Sequence, residues 1–183
     1  MNRYQLEHII RASADIADDE EIIVIGSQSI LGQYPNPPAE LLVSMEADVY
    51  PKNHPERWEL IDGSIGELSP FHSTFGYYAQ GVEPGTAVLP EGWETRLVVL
   101  CNANTRGAKG LCLEAHDLAI AKLVANRDKD RAYLEAAARN QLIDHSTLLA
   151  RLPTIPVDPE HRERIVHLVA RIFRAARSPE EQG

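Results

Sequence analysis

Apolar residues recur at Leu6, Ile9, Ile10, Ile16 and Ala17 with polar positions between them. That spacing marks one face of a helix and predicts an amphipathic helix over residues 3–17. The acidic run Asp18 to Glu21 then ends it, as a solvated turn. Ile22 to Ile25 is a short β-branched run that stops at Gly26-Ser27, which reads as a buried strand entering a tight turn. Gln28 to Gln33 turns as a short helix, and Tyr34-Pro35-Asn36-Pro37-Pro38 is a loop in which prolines forbid regular pairing. Leu41 to Tyr50 is a second strand, closed by Pro51.

Pro55 suits the first turn of a helix that carries Trp58, Leu60 and Ile61 and fades near Gly63. Residues 68–92 are rich in Gly, Pro, Ser and aromatics. Phe71 to Phe75 and Tyr77 to Val82 read there as short strands joined by turns, an antiparallel piece. Thr95 to Cys101 is a buried strand, and the loop holding Arg106 and Lys109 returns it into Leu111-Cys112-Leu113 as a hairpin.

From His116 the pattern is helical throughout. Asp117 is placed to cap a helix through Ala125, and helical spacing resumes over residues 129–140. A shorter helix runs from Asp144 to Leu152, and Asp158-Pro159 opens a last one. Its stripe of Ile165, Val166, Leu168, Val169, Ile172 and Phe173 is core-facing by period, and the tail S-P-E-E-Q-G should fray. Strands mixed with helices, then helices alone, predict an α+β class. The expected division is a core over residues 1–115 and a helical portion over 116–183 that completes a cleft.

Composition narrows the function classes. The 183 residues carry a net charge of −9, which argues against a broadly basic nucleic-acid surface while leaving room for a local basic patch. The two cysteines, Cys101 and Cys112, lie in apolar runs and read as reduced core thiols. The N-terminus lacks an apolar signal core and no apolar run approaches membrane-spanning length, so a cytoplasmic protein away from the membrane is expected. The seven histidines show no zinc-like spacing, and no Ser or Cys sits in a nucleophile elbow.

Four features carry candidate chemistry. Gly26 and Ser27 end an apolar strand and open a turn, leaving backbone amides to meet an anion. Glu46 and Asp48, two apart in a strand, share a face and suit a hard, oxygen-seeking cation. Lys122 interrupts an apolar helix face. It reads either as a surface lysine at the stripe's edge or as a cation aimed at a bound triphosphate. Arg127, Asp128, Lys129 and Asp130 form a charge cluster whose default reading is a solvated helix end.

Taken in order, the glycine-serine turn after a strand, the acid-x-acid pair, the lysine of D-L-x-x-x-K and the following R-x-K-D-x-x-x-L resemble the motifs of the minimal nucleotidyltransferase superfamily. The closest branch is the AbiEii-type toxins and related uncharacterised bacterial proteins, and the resemblance covers residues 22–134. It implies a polymerase-β-like core with appended helices, and metal-dependent transfer of a nucleoside monophosphate from a nucleoside triphosphate to an RNA or protein acceptor. It further implies that Gly26, Ser27, Lys122 and Arg127 bind the nucleotide. Glu46 and Asp48 would hold Mg²⁺ or Mn²⁺, and Asp130 would serve as a base or an orienting group. Ser27, Glu46, Asp48, Lys122 and Asp130 should then converge on one cleft.

Glu46 stands where the family usually has Asp, Tyr133 where the toxin branch often has an acid, and the strand Thr95–Cys101 offers no third carboxylate. Two readings therefore stay open. One is an active transferase; the other is a weakened fold serving as a binding module, such as one component of a toxin–antitoxin pair with its toxin or antitoxin partner.

Overall fold

Helix α1 (Arg3–Ala17) covers the range that the apolar spacing predicts, opened by Asn2 and Gln5 in a reciprocal capping box. The computed structural model describes residues 1–177. Beyond α1 come β1 (Glu21–Val24), α2 (Ile30–Gln33), β2 (Glu46–Pro51), α3 (Trp58–Ile65), α4 (Pro70–Phe75), β3 (Tyr78–Gly81), β4 (Val98–Leu100) and β5 (Lys109–Cys112). Four helices follow: α5 (Ala115–Ala125), α6 (Asp128–Arg139), α7 (His145–Arg151) and α8 (Pro159–Arg177). The class is α+β, as expected. Two compact units emerge, one of Met1–Ala87 with Glu94–Glu114, the other of Val88–Trp93 with the chain from Ala115. The frayed tail expected at the C-terminus lies outside the described residues.

The first unit is built on a mixed five-stranded sheet in the order β3-β2-β1-β5-β4. β1 lies at its centre, antiparallel to β2 and parallel to β5. Paired residues point to one side, so Val24, Val49 and Cys112 share a face. Gly110 and Gly32 show what covers it: a Cβ on Gly110 would run into Ile10 of α1, and one on Gly32 into the Cys112 side chain. Helices α1 and α2 therefore sit directly on β5, and the small residues are there to let them approach. Asp48 and Glu46, an odd number of residues from Val49, point to the opposite face.

Several sequence expectations are corrected here. Residues 71–75 form a helix, because Ser69 caps it by accepting from the His72 amide and Pro70 takes the first helical position. The strand that follows, β3, pairs parallel to β2, so this region is not an antiparallel piece. The second strand begins at Glu46 rather than Leu41, where residues 39–41 form a single 3-10 turn. β4 is shorter than residues 95–101 and only half covered, with Val99 58% exposed, as befits an edge strand. Cys101 is exposed, whereas Cys112 is buried and its thiol is pushed up to about 12. On α8, Ile165, Val169 and Ile172 are buried but Val166 is not.

The acidic turn is also not solvated throughout. Asp19 is buried and accepts from the backbone of Glu21 at 3.0 Å, the backbone and side-chain amides of Asn53 at 2.7 and 2.9 Å, and the His54 backbone at 3.1 Å. Burial alone would raise its pKa, but these donors outweigh it and hold the carboxyl below its ordinary value. A carboxyl with a depressed folded pKa stabilises the fold above its ordinary pKa and loses that contribution as pH falls through the folded one. Asp19→Ala is therefore expected to cost about 2 kcal/mol at neutral pH and to flatten the acid limb below about pH 4. Thermal unfolding followed from pH 7 downward reads both effects; equal acid sensitivity in the two proteins would discount the role of Asp19.

Candidate active site

The first unit places Gly26 against Asp48. Antiparallel pairing continues one residue past β1, since the Ile25 amide donates to the Asp48 carbonyl at 3.0 Å. Gly26 has an extended backbone, φ −83°, so its requirement is space and not a left-handed turn. A Cβ there would overlap the Asp48 carboxylate. The chain then turns through a 3-10 segment, Ser27–Ser29, with the Ser29 amide donating to the Gly26 carbonyl at 2.9 Å. Buried Gln28 ties this turn to the approach to β2 by donating to the Ser44 carbonyl at 3.3 Å. One turn of 3-10 helix followed by the four residues of α2 carries little macrodipole. An anion beside Gly26 and Ser27 would meet backbone amides in the main.

Glu46 and Asp48 lie on one face of β2, with Ala47 and Val49 fully buried on the other. Parallel register sets Tyr78 of β3 level with Glu46 and Gln80 level with Asp48, so neither neighbouring position holds a third acid. The Tyr78 hydroxyl donates to Glu46 Oε2 at 3.0 Å. Burial, the hydrogen bond to Glu46 and the nearby negative charges push that hydroxyl up to about 12, so it remains a donor at neutral pH. The His72 ring packs at 4.6 Å from the Tyr78 ring. Sequence reasoning passed over Tyr78; its two-residue alternation with Gln80 is the only signal, and it does not say which strand it pairs with. By holding the longer glutamate arm, Tyr78 selects one orientation of the first acid. Tyr78→Phe is expected to weaken metal-dependent nucleotide binding about fivefold. Titration of a fluorescent nucleotide with Mg²⁺ checks this, and an unchanged affinity would remove Tyr78 from the site.

Lys109 and Arg106 belong to the other end of the sheet from this turn. Lys109 opens β5 level with Glu21, to which its Nζ lies at 3.1 Å, together with Lys52 at 2.7 Å. Glu21 is at the far end of β1 from Gly26, about 16 Å along the strand at the usual rise. Arg106 sits in the loop leading to that same end, in a left-handed conformation with φ 53°.

The second unit brings Lys122, Arg127 and Asp130 together. Helix α5 ends at Ala125, Asn126 turns the chain with φ 50°, and α6 starts at Asp128. Asp130, three residues past Arg127, accepts from the Arg127 amide at 3.3 Å and from its guanidinium Nε at 2.6 Å. Its other oxygen accepts from Lys122 Nζ at 3.1 Å. Asp130 is fully buried and Lys122 only 6% exposed, with its ammonium 4.4 Å from the centre of the Tyr133 ring. Both default readings are thereby corrected. Lys122 is buried, and the charge cluster is not merely a solvated helix end, since Asp130 is buried too. Burial would raise the Asp130 pKa, yet the Arg127 hydrogen bond and the Lys122 charge hold it below the usual carboxylate value. A carboxylate so stabilised is a weak base, which suits it to orienting Lys122 and Arg127. Asp117 lies in the first turn of α5, fully buried and paired with Arg151 at 2.8 Å.

Among the described residues no group of three or more His, Cys, Asp or Glu side chains is placed to hold a metal ion. No helix among them is long and apolar enough to cross a membrane. Neither the curated proteins nor the solved structures contain a match to the chain. A family profile, described as nucleotidyltransferase of unknown function (DUF6036), matches residues 4–175. That span includes the glycine-serine turn, both acids of β2 and the Lys122–Asp130 pair, and on it the chain belongs to the DUF6036 family of nucleotidyltransferases.

Proposed function

We propose that the protein is a metal-dependent nucleotidyltransferase that moves a nucleoside monophosphate from a nucleoside triphosphate to an RNA or protein acceptor. The observation that carries this reading is the packing of Gly26 against the Asp48 carboxylate, at the turn that follows the central strand. Two hard carboxylates on one face, beside backbone amides able to meet phosphate, fit Mg²⁺ or Mn²⁺, which takes one or two protein carboxylates and completes its shell with phosphate oxygens and water. Glu46 and Asp48 would hold the ion, which when bound would offset charge on the phosphate oxygens.

The remaining roles belong to the chain's own residues. Gly26 and Ser27 position the triphosphate through the backbone. Lys122 and Arg127 present positive charge to nucleotide phosphate, held in place by Asp130. Fixed cations of this kind favour the more highly charged transition state. The kinship to AbiEii-type toxins, a bacterial cytoplasmic setting and a toxin or antitoxin partner belong to the same proposal.

A second reading, a binding module with weakened turnover, is favoured by the hydrogen bond from Tyr78 that already occupies one oxygen of Glu46. One assay separates the two. The protein is incubated with each radiolabelled nucleoside triphosphate and Mg²⁺ or Mn²⁺, with total RNA and with protein alone. Label transfer establishes the enzyme and its acceptor class. Metal-dependent binding without transfer favours the module, and neither result would overturn both.

A further inference from the structure

Helix α8 has a second face that nucleotide binding leaves unused. Arg164, His167, Arg171 and Arg174 are exposed and spaced three, four and three residues apart. At that spacing they form a single row along the helix, about 15 Å from first to last. From Arg164 to Arg177 the helix contains no acid. Acidic groups flank the start of the row: Glu163 lies 4.0 Å from His167, Glu160 stands one turn before Arg164, and Asp158 feels the Arg164 charge.

One turn past Arg174, Arg177 lines a cleft of about 760 Å³ together with Arg139, Gln141, Asp144, His145 and Phe173. The His145 and Phe173 rings meet edge to face at 5.3 Å. Asp144 brings a negative charge to this cleft. Its carboxylate is already engaged as the cap of α7, accepting from the Thr147 amide and from the hydroxyls of Ser146 and Thr147.

We infer that the basic row of α8 and the adjoining cleft form a track for single-stranded RNA, with phosphates along the arginines and a base in the cleft beside Phe173 and His145. This rests on the nucleotidyltransferase reading and names RNA as the acceptor class. A regular row of cations suits a polymer with one charge per repeat, and a cleft with two rings suits a flat base. An acidic protein would use the row but not the cleft, and a duplex keeps its bases stacked and out of reach. The whole chain carries a net charge of −9, so attraction of RNA to this row should be strongly salt-dependent.

The test uses the full chain and a fluorescein-labelled single-stranded RNA of mixed sequence, with anisotropy read over a range of salt. Combined Arg164→Gln, Arg171→Gln and Arg174→Gln should weaken binding on the order of tenfold or more and make the salt slope shallower by about 2. Phe173→Leu should weaken it about tenfold through lost stacking. The three arginines are exposed, so circular dichroism and thermal unfolding should report an intact fold. Unchanged affinity and slope in the triple variant, or no RNA binding by the unmodified protein, overturns the track. Polyglutamate competing as well as RNA overturns it in favour of an acidic protein partner, and duplex RNA binding as tightly as single-stranded RNA overturns the role of the cleft. Nucleotide binding by the unmodified protein is titrated separately; its failure would count against nucleotidyl transfer while leaving the RNA measurement intact.

Discussion

Asp48→Ala is expected to abolish label transfer, with a loss on the order of 10³-fold. The reason is local. The Asp48 carboxylate fills the space that a side chain on Gly26 would need, so it stands at the turn where the triphosphate is proposed to bind. With a divalent cation it is an attractive ligand; without one, it is a negative charge facing a polyanion. The substitution should therefore have opposite effects in the two conditions. In Mg²⁺ the variant should bind nucleotide much more weakly than the unmodified protein, and in a chelator it should bind at least as well. Side-by-side titrations read this crossover, which general damage to the fold would not produce. If both proteins bind nucleotide equally in Mg²⁺, Asp48 is not a metal ligand and the central proposal fails.

The largest loss of stability is expected from Asp130→Ala. It removes a fully buried carboxylate and takes this ion pair from the Lys122 ammonium, which is 6% exposed. Breaking a buried pair from one side costs about 3–5 kcal/mol, because the surviving charge stays desolvated without its partner. For a chain of this size that lowers the melting temperature on the order of 10 °C. Lys122→Met is the informative contrast. Asp130 keeps Arg127, whose guanidinium is largely in solvent, so stability should fall much less. Nucleotide affinity should fall in both variants if Lys122 reaches the phosphates. Loss of stability in Asp130→Ala together with normal affinity in Lys122→Met would confine the cluster to a structural role.

Local features were legible wherever a single element decided them. The 3.6-residue spacing of Leu6, Ile9 and Ile10 specifies α1, and the Asp158-Pro159 start specifies α8, because helical hydrogen bonds close within a few residues. The hairpin of β4 and β5 is likewise local. Region 71–75 misled because its aromatics suit a strand by composition, while Ser69 and Pro70 supply the cap and first-turn geometry of a helix. The surroundings of Asp19 and Asp117 were not legible for another reason: their partners are Asn53 and His54 in one case and Arg151 in the other, far along the chain.

By itself, the order of residues determined the α+β class, the acid pair on one face of a strand and the likeness to a nucleotidyltransferase family. Those depend on backbone periodicity and on spacing, which are written in the chain. Only tertiary structure decided that Tyr78 answers Glu46, that Gly26 makes room for Asp48, and that Lys122 and Asp130 are buried as a pair. Strand register and side-chain desolvation arise between segments distant in sequence, and no local pattern encodes which segments will meet.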